Sequence, residues 1–137
     1  MEKNCLQPLK EALREAMSTC GHGTEEKGGF ILSKGNDHRF VQLENIHTGS
    51  TRAGVLFEAD PVEYGKKVMT KIGLEGFKAS SFHTHPNGLS SRPSGIDLDY
   101  LFKGFPINYI YATTSKTLTK YTYNKIENNW QIENQEL

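Results

Sequence analysis

The sequence predicts a mixed α/β protein of the α+β kind: one domain over residues 1–137, built as a mixed β-sheet flanked by helices. Three observations carry this. Short apolar or alternating runs bounded by Gly, Asn and Asp recur along the chain, which is the signature of strands. Three other segments read as helices, one by apolar residues three and four apart and two by their start signals. The elements follow in the irregular order α-β-β-(β)-α-β-α-β-β, with hairpins at both ends, which a doubly wound parallel sheet would not produce.

Leu6, Leu9, Leu13, Ala16, Met17 and Cys20 mark one apolar face of a first helix over about residues 6–19. Pro8 is expected in its first turn, and Gly21 and Gly23 stop it. "GGFILS" reads as a buried strand and "HRFVQLENI" as its antiparallel partner, joined through "SKGND". "NIHTGSTRAG" reads as loop and "VLFEAD" as a short extended segment. Asp60 and Pro61 are start signals for a helix over "DPVEYGKKVMTKIG", with Gly73 as its stop. "FKASSFHTH" is a strand, and "GIDLDYLFKG" a short helix with Ser94 before it. "INYIYATTS" and "TLTKYTYN" form a hairpin, "NNWQI" a last strand, and "ENQEL" a frayed tail.

Sixteen basic residues balance sixteen acidic ones, so nothing in the charge favours nucleic acid as a partner. No run approaches the roughly 20 apolar residues of a membrane span, and the charged N-terminus lacks the apolar stretch of a secretory signal. The cysteines, Cys5 and Cys20, fall at opposite ends of the first helix. About 15 helical residues span roughly 22 Å, too far for a disulfide. Free thiols and a cytoplasmic location are expected.

The chemistry gathers in "SSFHTHPNGLSSRPSGID", residues 80–97. Residues two apart on a strand point to the same side, so His83 and His85 present two imidazoles to one region. Imidazole is a good zinc ligand. Asp97 falls just after the start of the next helix and could add a carboxylate oxygen. Three protein ligands with one open position is the catalytic form of a zinc site. Such a site lowers the pKa of a bound water from 15.7 to roughly 7, and it needs a base and an oxyanion donor. Ser94 can be that donor or can cap the helix; one hydroxyl does not do both fully. His-x-His alone is a weak signal, but followed by Pro, a polar loop and Ser-x-x-Asp it is much more specific.

"HTHP" and "SGID" together resemble the JAMM motif of the JAB1/MPN/Mov34 zinc metalloproteases. "EEKGGFIL" is similar to the family's early strand, and "LENIHTG…FEADPVEY" to a segment of its stand-alone bacterial and phage members, so the likeness covers about residues 6–123. Between Pro86 and Ser94 stand seven residues, where the family usually has six; the extra one is expected to bulge from the loop. The resemblance implies a cytidine-deaminase-like sheet, with Zn²⁺ held by His83, His85 and Asp97. It implies Glu26 as the base that activates the water and Ser94 as the oxyanion donor. Glu25 competes for the base; adjacent strand residues face opposite ways, and register favours Glu26.

Other polar residues have plainer readings. His22, His38 and His47 read as loop or strand-end residues, Glu58 and Asp60 as strand-end and cap residues. Asp99 points away from a metal at Asp97. Tyr109, Tyr111, Tyr121, Tyr123 and Trp130 read as hairpin packing, and Met17 and Met69 as core. The resemblance implies a metallopeptidase or isopeptidase acting on a protein or peptide substrate such as a ubiquitin-like or small protein tail. A phage tail-assembly peptidase is a variant of that reading. The alternatives are a non-catalytic MPN scaffold that binds protein partners and a DNA-repair-associated relative. The intact ligand set speaks against the scaffold, and the neutral charge against nucleic acid.

Overall fold

A computed structural model describes residues 2–23, 26–45, 60–86, 92, 105–124, 126–127 and 129–135. Helix α1 spans Glu2–Cys20. Strands β1 (Gly28–Lys34) and β2 (Asp37–Leu43) form a hairpin. Helix α2 (Pro61–Tyr64), a π-helical turn (Gly65–Met69) and α3 (Thr70–Glu75) make one continuous helical run. Then come β3 (Lys78–His85), β4 (Ile107–Ala112), β5 (Thr117–Asn124) and β6 (Asn129–Gln135). Residues 55–59 of the expected segment "VLFEAD" and all of "GIDLDYLFKG" lie outside the described residues.

The six strands form one sheet in the order β2-β1-β3-β4-β5-β6. Among the described residues only β3 and β4 pair in parallel, and the other neighbouring pairs are antiparallel. The mixed sheet expected from the element order is therefore present. A parallel pair needs a crossover of roughly a dozen residues or more, and residues 86–106 are long enough for one.

Both faces of the β1 region are covered. On one, α1 packs Ala12, Leu13, Ala16 and Cys20 against Ile31, Phe82, Tyr109 and Leu118. On the other, Phe30, Leu32 and Leu43 pack with Val68 and Phe77. A strand buried on both sides reads as a continuous apolar run, and "GGFIL" is one. The β1–β2 turn has positive φ at Gly35 alone, the pattern of a type II′ hairpin.

Four expectations need correction. Helix α1 begins at Glu2, so Pro8 lies in the second turn and not the first. Its missing N–H leaves a gap in the helix ladder. The second helical run passes through Gly73 and stops at Gly76, whose φ of 78° supplies the left-handed cap. Met69 is exposed. Across the wider π turn, Tyr64, Val68 and Ile72 hold the core side at spacings of four, and Met69 turns outward. Lastly, the tail is not frayed from Glu133, because β6 continues to Gln135, paired with Leu118 of β5. Asp60 caps as expected, accepting from the Val62 N–H at 3.1 Å. Tyr123 and Trp130 form the expected cross-strand aromatic pair.

Candidate metal centre

β3 ends in the two histidines. His83 and His85 are two residues apart, share one face of the sheet and are both buried. Their Nε2 atoms are 3.2 Å apart. Glu26 approaches from the neighbouring strand. β1 pairs with β3 so that Gly28 faces His83; carried back two residues, that register sets Glu26 opposite His85 on the same face. Glu26 is buried too, with Oε2 4.0 Å from His85 Nε2.

Glu26, His83 and His85 each offer one ligand atom, and these atoms lie within 4.8 Å of one another. A carboxylate in a dry site requires compensation by a cation, a proton or hydrogen bonds. Two imidazole nitrogens and a carboxylate oxygen are donor types that suit a divalent metal. The group could hold a metal ion.

Gly28 makes the approach possible. A Cβ there would sit 2.2 Å from the Phe82 carbonyl oxygen and 2.9 Å from Cα and Cβ of His83. The next residue is equally confined, since a Cβ on Gly29 would sit 2.0 Å from the Val41 carbonyl oxygen. The two glycines bring β1 close to β3 on one side and β2 on the other. Sequence reading placed them at a strand start, but their steric role depends on partners far along the chain.

Two further residues at the site were not recognised from the sequence. Thr84, between the histidines, is fully buried and faces the other side of the sheet. Its N–H donates to the Lys27 carbonyl at 2.8 Å, and its Oγ1 accepts from the Lys27 N–H at 2.9 Å. Asn45, just past β2, donates from Nδ2 to the Glu26 carbonyl at 2.8 Å. The available signals were slight: a hydroxyl residue inside His-x-His, and an asparagine where β2 ends. His85 is held from the opposite side, its carbonyl accepting from Thr113 N–H at 3.1 Å. Beside His83 on the same face, Ser81 donates to Asn108, which donates to the Phe105 carbonyl at 2.7 Å.

Ser94, Asp97 and Asp99 lie outside the described residues, as do Glu25, His47 and Glu58. His38 lies at the far end of the β1–β2 hairpin, its Nδ1 2.6 Å from Ser33 Oγ, and His22 is exposed after α1. A cleft of 380 Å³ lined in part by His38 lies away from His83 and His85, between α1 and that hairpin. Glu11, Glu15, Asp37 and Arg39 line it, and Arg39 is already paired with Asp37 at 2.7 Å. Cys20, the last residue of α1, is a buried free thiol. Among the described residues no helix is long and apolar enough to cross a membrane.

The chain matches no protein-family model and no curated protein sequence.

Proposed function

We propose that this protein is a zinc-dependent metallopeptidase or isopeptidase of the JAMM type. The observation that carries the reading is the buried convergence of Glu26, His83 and His85 at the ends of two adjacent strands. The donor set fits zinc. With Zn–N bonds of roughly 2.0–2.1 Å, two tetrahedral ligands stand about 3.3 Å apart, and the Nε2 atoms are 3.2 Å apart. Zinc bound there would polarise a carbonyl and acidify a water.

In this reading His83 and His85 hold the ion, and Asp97 supplies the third ligand in keeping with the Ser-x-x-Asp motif. Glu26 takes a proton from water as the water oxygen attacks the carbonyl carbon. It returns that proton to the amine as the C–N bond breaks. Ser94 donates a hydrogen bond to the carbonyl oxygen as negative charge develops on it. The carboxylate is the natural base, because metal binding engages the imidazole lone pairs. The substrate class is a protein or peptide tail, and the sequence resemblance favours a ubiquitin-like or other small protein tail.

The test uses a ubiquitin-like tail ending in Gly-Gly, joined to a lysine ε-amine, with products identified by mass. The zinc-loaded protein should release the free tail. A chelator should abolish release, zinc should restore it, and Glu26→Gln should slow it by roughly 10²–10⁴-fold, the usual contribution of a general base. Undiminished cleavage by Glu26→Gln would remove Glu26 from the mechanism.

A further inference from the structure

The peptide unit joining Glu26 to Lys27 is gripped at both polar ends by side chains from different parts of the sheet. Its carbonyl accepts from Asn45 Nδ2 at 2.8 Å, and its N–H donates to Thr84 Oγ1 at 2.9 Å. In a regular antiparallel pair the Lys27 N–H would go to the Thr84 carbonyl, not to its hydroxyl. The same hydroxyl also donates to the Lys27 carbonyl at 3.3 Å, and the Thr84 N–H donates there at 2.8 Å. A hydroxyl is suited to this because it can donate and accept at once.

Glu26 lies two residues before β1 begins, where the regular ladder has ended. A fixed peptide plane fixes the Glu26 Cα, which lies in that plane. The carboxylate's aim at His83 and His85 then depends on little more than ψ and the side-chain torsions.

We propose that Thr84 and Asn45 are positioning residues for Glu26: together they clamp the Glu26–Lys27 peptide and hold the carboxylate beside the two imidazoles. The residue between the histidines thus has a task of its own on the opposite face of the sheet. The proposal rests on the metal-centre reading above.

The test is a double-mutant cycle on Co²⁺ affinity, read by visible absorption of the whole chain, with the melting temperature of each metal-free variant as a check on folding. Thr84→Val keeps the shape and removes the hydroxyl. Glu26 is not a ligand in that reading and would steady a bound ion through its water; such supporting groups are typically worth 10–100-fold in affinity or activity, so Thr84→Val should weaken Co²⁺ binding about tenfold or more. Thr84→Ser should restore it to within about twofold, a margin below the smallest coupling considered meaningful. In the Glu26→Gln background, Thr84→Val should produce no further loss, because the group it aims is already gone. Asn45→Ala should follow the same non-additive pattern, and it carries the cycle if Thr84→Val fails to fold. Equal losses in both backgrounds would overturn the proposal, since the clamp would then act through the histidines or the fold. Failure of the wild type to bind Co²⁺ would instead sink the metal-centre reading itself.

Discussion

His83 and His85 meet at Nε2 because a strand repeats every two residues, and that much was readable from "HTH" alone. The carboxylate partner, two residues before β1, was readable as Glu26 in preference to Glu25, on register. Glu26 is brought to the pair through a register set by bonds between residues 57 apart, such as Lys27 with Thr84, which no local pattern reveals. Protons compete with metal for imidazole and carboxylate, so metal affinity should fall as pH is lowered, measurable as Co²⁺ release in an acid titration.

Cys20 gives a separate prediction at this scale. Burial pushes its thiol up to about 11, with nearby Lys27 opposing. It should react with a thiol reagent at pH 8 far more slowly than the unfolded chain does, because the thiolate is the reactive form. The sign for stability follows. Below pH 9 the thiol keeps its proton in both states; between 9 and about 11 the unfolded chain releases it first, and stability declines. Denaturation midpoints at pH 8 and pH 10.5 should fall further apart for wild type than for Cys20→Ala. An identical pH dependence in the two proteins would contradict this.

Among the elements, β1 carries the most information. Its apolar run announced a buried strand, and the hairpin to β2 followed from the turn residues. The need for glycine at position 28 did not, because the obstructing atoms belong to Phe82 and His83. Gly28→Ala should force β1 away from β3. Overpacking of this kind costs typically 1–3 kcal/mol, and the variant should lose metal affinity along with stability, by chemical denaturation and Co²⁺ titration. Unchanged stability and affinity would show that the strands yield easily. The helical run 61–75 was readable at its start, where Asp60 caps and Pro61 follows. The π turn was not, since apolar spacings of four suit an α-helix equally well. Pro8 was misplaced by a similar limit: the residues before it carry little apolar signal, so the helix appeared to begin at Leu6.

Over the whole molecule, the mixed sheet was inferred from element order, while its strand order required knowing that β3 pairs with both β1 and β4. That pairing has a chemical consequence. His85 ends β3 beside Ala112 of the parallel strand β4, and the carboxyl ends of parallel strands are where open α/β sheets place their ligand sites. The Ser94 and Asp97 motif lies within the connection between those two strands, so His83, His85, Ser94 and Asp97 fall in one stretch of sequence, and Glu26 comes from the start of β1. If the metal binds only the folded state, zinc at about 100 times its dissociation constant should add about 2.7 kcal/mol of stability. A rise in melting temperature with zinc, absent in His83→Ala/His85→Ala, would register it.

The central claim is that the buried histidine pair holds zinc. Elemental analysis of the purified protein, wild type beside His83→Ala/His85→Ala, tests it most directly. The account predicts close to one zinc per wild-type chain and close to none in the double variant. A wild-type protein that takes up no zinc, even after refilling, would contradict it.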